Sequence, residues 1–397
     1  MTLTPRLLVL RNAEVYAPEK LGRLDLLIAA GEILALADTT TKPWAALDPE
    51  LVETVDLAGA RVCPGFLDAH VHVTGGGGES GPSSRVPRVL FSELTRAGVT
   101  TCVGVLGTDG TTRSVESLVS AVQGLRAEGL DAYAWTGSYE IPPITLTGSV
   151  RRDIVYVDSI LGAGEVALSD HRSSQPTFDE LARLAADCHV GGLMTGKAGL
   201  LHLHLGDGPR GLELVRRILD ETELPARVFY PTHVNRKTRL FAEALDLARR
   251  GSTVDLTAFP VEKGEDAYSA EDAIERFLAS DAPKNRLTVS SDGGGCLPTF
   301  DAEGRLAKMD VGRASALPET LAVLLDRGHP LDTVLPIFTS NVADILRLPK
   351  KGRLRPSAAA DLVVLDERHR IRDVMARGRF VVRNLVPTVW GTFERRD

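Results

Sequence analysis

Cysteine is scarce in this chain, and the four present, Cys63, Cys102, Cys188 and Cys296, stand far apart with no Cys-x-x-Cys pair. That spacing excludes a disulfide framework or a thiolate zinc site and fits a reducing compartment. Long apolar runs are missing as well. The stretch Leu7 to Leu10 is too short for the core of a signal peptide, and nothing later reaches about 18 consecutive apolar residues. No membrane span and a cytoplasmic location are therefore expected. Positive charge is not in excess: 46 Lys+Arg against 53 Asp+Glu leave a net charge of −7, which argues against a nucleic-acid partner. With 43% hydrophobic and 25% charged residues the composition is that of a folded globular protein. Its 397 residues suit roughly two domains that bury about three quarters of the unfolded surface. Histidine is also rare, nine in all, and its placement carries most of the information.

From about residue 60, short β-rich runs alternate with longer helical patterns, the signature of repeated βα units. The runs are Arg61 to Val73, Val99 to Gly107, Asp131 to Tyr139, Glu165 to Asp170, Leu200 to Gly206, Arg227 to His233, Thr253 to Phe259 and Leu287 to Asp292. Helical segments between them include Ser114 to Ala127, Phe178 to Ala186, Gly211 to Asp220, Leu240 to Arg250 and Ala270 to Ala279. Eight such units predict an α/β fold, a (β/α)8 TIM barrel, with a doubly wound open sheet as the alternative. The ends read differently. Arg6 to Leu36 and Ala360 to Val386 alternate apolar and polar residues, as antiparallel strands do. The expected organisation is a small β-sandwich domain built from both termini, residues 1–61 with 347–397, and a barrel over residues 62–346.

On a strand, side chains at i and i+2 share a face, so His70 and His72 in GFLDAHVHV present two imidazoles together. Such a pair can hold a divalent metal at about 2.0–2.1 Å. Random placement of nine histidines gives about 0.2 His-x-His pairs, yet a second pair, His202 and His204, occurs in LLHLHLGD. His233 ends the sixth run and Asp292 the eighth. All fall at the C-terminal mouth, where a barrel gathers its catalytic groups.

The segments GFLDAHVHVTGGGGESGPSSRVP, GVLGTDG, SYEIPP, SDHRSS, PTHVNR and SSDGGG, read together, resemble the bacterial isoaspartyl dipeptidases of the amidohydrolase superfamily. The likeness runs to GRLRPSAAADLVVLD near the C-terminus. It implies two divalent metal ions, zinc by preference: His70 and His72 on one, His204 and His233 on the other, and Asp292 as both ligand and proton shuttle. It also implies hydrolysis of β-aspartyl dipeptides by a metal-bound hydroxide. His202 reads as a core or supporting histidine rather than a ligand. A homo-oligomer is expected.

One departure stands out. The resembled family bridges its metals with a carbamylated lysine, but no lysine occurs between Lys42 and Lys197, and the matching position is Glu165. A glutamate keeps the charge and both oxygens on an arm shorter by about three atoms; it is the expected bridge, as in other branches of the superfamily. For the substrate, a small zwitterionic dipeptide, the resemblance points to Glu79 for the ammonium, Arg172 and Arg236 for carboxylates, Tyr139 for the scissile carbonyl and Thr108 as a further contact. Cys296 stands where the family carries a substrate-contacting serine, and a thiol is the weaker donor. A cyclic amidase of dihydroorotase or hydantoinase type is the alternative enzyme; a metal-free scaffold is disfavoured because every candidate ligand is present. Lys197 and Asp207 receive no role.

Overall fold

The structure, a computed structural model, describes residues 7–300 and 306–394, and the side chains of residues 298–300 and 306–308 fall outside it. The chain opens with five strands, β1 (Leu7–Tyr16), β2 (Lys20–Ala29), β3 (Glu32–Asp38), β4 (Val52–Asp56) and β5 (Arg61–Pro64). Arg6, the expected start of the first strand, lies outside the described residues. Eight further strands follow: β6 (Phe66–Val71), β7 (Val99–Gly104), β8 (Asp131–Thr136), β9 (Ile160–Leu168), β10 (Leu200–Leu205), β11 (Phe229–Thr232), β12 (Val254–Thr257) and β13 (Leu287–Ser290). Each overlaps one of the eight runs expected from the sequence, β9 only in part. Strands β6 to β11 form one parallel sheet in sequence order, and β12 pairs with β13 in parallel. Two links close the circle. Val234 N donates to Asp255 O across the β11–β12 seam, and His72 N donates to Gly293 O at 2.8 Å across the seam between β13 and β6.

Helices cover the outside: α1 (Phe91–Arg96), α2 (Val115–Glu128), α3 (Val150–Tyr156), α4 (Phe178–Thr195), α5 (Glu213–Glu221), α6 (Thr238–Arg249), α7 (Ala270–Ala279) and α8 (Ala316–Asp326). Their starts follow local chemistry. Ser114, Thr177 and Ser269 each accept from the backbone N–H three residues on, satisfying a donor that the first turn leaves open. Helix α4 runs nine residues beyond the segment expected, because Gly191 and Gly192 do not stop it; there it packs closely on Ile154 and Gly199. Among the described residues no helix is long and apolar enough to cross a membrane.

After the barrel come a hairpin, β14 (Cys296–Phe300) and β15 (Leu306–Val311), and four terminal strands, β16 (Leu362–Leu365), β17 (Ile371–Ala376), β18 (Arg379–Arg383) and β19 (Val386–Pro387). The two chain ends meet, β5 pairing antiparallel with β16. Hydrogen bonding gathers all nine terminal strands into one sheet, β19-β18-β17-β16-β5-β1-β2-β3 with β4 beside β1, instead of the two separate sheets of the expected sandwich. Its apolar cluster draws Leu10, Leu26 and Ile33 from one end of the chain and Leu362, Val364 and Met375 from the other.

A buried charge cluster fastens this sheet to the barrel. Lys351, 8% exposed, binds both Asp131 at the start of β8 and Asp361 just before β16, and Arg377 Nη2 donates to Asp131 at 2.6 Å. Lys351→Met would leave the buried Asp361 carboxylate without its cation and Asp131 with Arg377 alone. Its expected cost is about 3–5 kcal/mol, read as a lowered midpoint in urea or thermal unfolding.

Candidate metal centre and substrate pocket

The candidate ligands converge at the C-terminal mouth of the barrel. His70 is the penultimate residue of β6 and His72 lies one residue beyond the strand, so both project on one face. His204 sits near the end of β10. His233 and Asp292 come just after β11 and β13, in left-handed backbone at φ 61° and 53°. That conformation costs about 1–3 kcal/mol for a residue with a side chain and persists where the surroundings over-determine it, a pattern common at functional sites.

Glu165 lies at the centre. Its Oε1 is 3.4 Å from His70 Nε2 and 3.5 Å from His72 Nε2, and its Oε2 is 3.1 Å from His204 Nδ1 and 3.6 Å from His233 Nε2. Asp292 Oδ1 closes the first group, 3.4 Å from His70 Nε2 and 3.1 Å from His72 Nε2. One carboxylate thus faces two separate sets of donors. The short arm reaches because the strand bulges. Ala163 pairs with Leu201 and Val166 with Leu203, so Gly164 and Glu165 together oppose His202 alone. The extra residue re-aims the Glu165 side chain into the barrel. Gly164, at φ 151°, permits this, since a Cβ there would lie 2.7 Å from both Cβ and O of His202.

The donor set fits divalent cations. His70 Nε2, Glu165 Oε1 and Asp292 Oδ1 are buried with no hydrogen-bond partner, a costly state that a bound cation removes. Ligand atoms about 2.0–2.2 Å from a tetrahedral zinc lie about 3.3 Å from each other, close to the separations above. His70, His72 and Glu165 form one group able to hold an ion, His70, His233 and Asp292 another, and Glu165, His204 and His233 a third. Charge points the same way. Burial opposes ionisation of Glu165 and Asp292, yet the surrounding histidines hold both well below the usual carboxylate range.

Neighbouring groups set the imidazole tautomers. His202 Nδ1 lies 2.9 Å from Tyr230 O, which can only accept, so that nitrogen carries the proton. Burial keeps His202 neutral, with its pKa well below the usual value. Its bare Nε2 then accepts from His70 Nδ1 at 2.8 Å, leaving His70 Nε2 free to ligate. His202 is therefore a buried histidine that supports His70 from behind. Thr257 Oγ1, 2.6 Å from His233 Nδ1, does the same service there. His204 uses Asp170, whose Oδ2 is 3.1 Å from its Nε2. Sequence reasoning missed Asp170 although it sits inside SDHRSS; only its place beside a predicted arginine could have flagged it.

The expected substrate residues surround this centre. Arg172 forks onto Asp170 through Nε at 3.0 Å and Nη2 at 2.8 Å, and reaches Glu79 Oε1 with Nη1 at 3.2 Å. Thr108 Oγ1 also donates to Glu79 Oε1, at 2.9 Å. Arg236 Nη1 donates to Leu205 O at 2.7 Å, and its Nε lies 3.4 Å from Asp207, which gives Asp207 a role as its partner. Tyr139 OH lies 2.8 Å from His204 Nδ1, and burial raises its pKa well above the usual value, so the phenol keeps its proton. Cys296 is half-buried beside the glycine loop; burial, then Glu79, pushes its thiol up to about 11, which leaves it unionised and unsuited to nucleophilic attack. Lys197 is structural: its ammonium donates to Ile154 O and Val157 O at the end of α3.

The four-glycine loop before Glu79 is held by a residue the sequence did not flag. Arg113, 7% exposed, donates to Gly76 O at 2.9 Å and to Gly77 O at 3.1 Å and pairs with Asp109. Gly75, at φ 78°, lies so close to Val86 O that no side chain fits.

Residues 61–382 match the amidohydrolase family. The structure of a β-aspartyl dipeptidase from the thermophilic, keratin-degrading Fervidobacterium islandicum AW-1, in complex with β-Asp-Leu dipeptide, is similar at a TM-score of 0.90 and 40% identity, covering 98% of this chain and all of that one. A dihydropyrimidinase from Brevibacillus agri NCHU1002 shares the fold at a TM-score of 0.66, with 16% identity over 97% of both chains. Among curated sequences, the adenine deaminase of Serratia proteamaculans (strain 568) is 23% identical over 81% of this chain, which spans only 48% of that protein.

The tautomer relay is directly testable. His202→Leu leaves His70 Nδ1 without its acceptor. Zinc affinity should fall about 10–100-fold in a chelator competition; unchanged affinity would show that His70 needs no support from behind.

Proposed function

Because this chain belongs to the amidohydrolase family, whose members are metal-dependent hydrolases, we propose that it is a dipeptidase cleaving β-aspartyl (isoaspartyl) dipeptides. The observation that carries the reading is the charge pattern at the mouth, Glu79 set among Arg172 and Arg236 beside the Glu165 centre. The 40% identity to a dipeptidase solved with β-Asp-Leu supports it.

His70, His72, Asp292 and Glu165 would hold one divalent ion, and Glu165, His204 and His233 a second, with zinc favoured by imidazole and carboxylate donors. Bound there, such ions lower the pKa of water and polarise an amide carbonyl. The chain supplies the rest. The Asp292 carboxylate takes the proton of the attacking water and returns it to the departing amine nitrogen. The Tyr139 hydroxyl donates toward the carbonyl oxygen as negative charge develops on it. Glu79, held by Thr108 and Arg172, receives the α-ammonium group. Arg172 and Arg236 face the carboxylates. Cys296 lines the same pocket as a weak donor. A cyclic amide has no ammonium group and leaves Glu79 without a use, which sets the dipeptide above hydantoins and dihydroorotate.

Purified zinc-loaded protein should hydrolyse β-Asp-Leu and leave hydantoin and dihydroorotate untouched. Asp292→Asn should lower turnover by about 10²–10⁴-fold with the fold intact. No release of leucine, or preference for a ring, would overturn the assignment. A carboxylate that belongs to the side chain also needs no carbon dioxide to form. Metal-stripped protein given zinc in bicarbonate-free buffer should regain full activity, whereas a bicarbonate requirement would place the bridge on a group other than Glu165.

A further inference from the structure

The barrel has a second mouth, at the N-terminal ends of its strands, where a cavity of 260 Å³ opens. Three arginines line it from segments far apart in the chain: Arg227 just before β11, Arg286 just before β13, and Arg347 just beyond the short helix Ser340–Ile345. Among the described residues Arg227 and Arg286 have no carboxylate partner, and Arg347 Nη1 donates to a backbone carbonyl, Lys197 O, at 3.1 Å. Asp344 also lines the cavity, but Arg353 holds both its oxygens, at 2.7 and 2.8 Å. Positive charge is thus concentrated and unneutralised here, in a chain whose net charge is −7. The field is felt locally: burial, then Arg227 and Arg347, lowers the pKa of His189 on the cavity wall.

We propose that this cavity is a second ligand site, which takes a small dianion, a phosphate group or a short dicarboxylate, between the guanidinium groups of Arg227, Arg286 and Arg347. Guanidinium forks match both kinds of oxyanion. A volume just under the usual range of drug-sized pockets suits a small ligand. Buried Asn341 spends its amide on Lys284 O and Leu287 O, so it braces the wall and leaves recognition to the arginines. The site stands independently of the reading of the metal centre, which lies at the opposite end of the strands.

Isothermal titration of the zinc-loaded protein with inorganic phosphate and with succinate, at ionic strength fixed by chloride, tests it. One-site binding with Kd below about 1 mM is expected for at least one of them, and the tighter one identifies the ligand class. The Arg227→Gln/Arg286→Gln double variant should weaken binding at least tenfold with its thermal midpoint unchanged, and Asp292→Asn should leave binding intact. No saturable binding, binding that survives the double variant, or binding lost with Asp292→Asn would each overturn the site.

Discussion

The mouth of the barrel is organised around one carboxylate. Glu165 offers an oxygen to each of two histidine pairs, and the demands of that position propagate outward. The strand must bulge to bring a short side chain to the axis. The residue before it must be glycine, because His202 fills the space behind. His202 in turn must be a neutral histidine to accept from His70. A two-carbon arm is thus made long enough by backbone geometry rather than by side-chain chemistry.

Beneath this layer the barrel strands carry buried carboxylates that are hydrogen-bonded by hydroxyl groups. Asp255 accepts from Thr232 Oγ1 at 2.7 Å, Thr288 Oγ1 at 2.6 Å and Ser290 Oγ at 2.5 Å. Asp68 accepts from Ser291 and so ties β6 to β13, the first and last strands of the circle. Burial, partly offset by those donors, pushes the Asp68 carboxyl up to about 7. Groups so placed give strand ends a defined register, which the sub-ångström placement of ligands requires.

Much of this was legible in the amino-acid order, and the misses have physical reasons. Short β-rich runs alternating with helical patterns marked the barrel, and two His-x-His pairs marked its working end, because pleating puts side chains at i and i+2 on one face. Strand β9 begins at Ile160, five residues before the run that the sequence suggested, since the small residues of LGAG resemble a turn more than a strand. The bulge at Gly164 was invisible: register depends on the partner strand, which no local window contains. Asp170 and Arg113 were hidden for a related reason. Their meaning lies in what they touch, His204 in one case and the carbonyls of Gly76 and Gly77 in the other. The two sheets expected from the termini proved to be one because β5 can accept β16 on its free edge.

That last pairing imposes an order on the birth of the molecule. Arg61 lies opposite Leu365 and Pro64 opposite Leu362, with the barrel between them in sequence. A ribosome adding about 5–20 residues per second takes roughly 15 to 60 s to supply the partner. Throughout that interval the outer edge of β5 is an open template for a foreign strand. The terminal sheet is therefore completed only after the barrel has been made, and its open edge exposes the newly made protein to aggregation until β16 emerges.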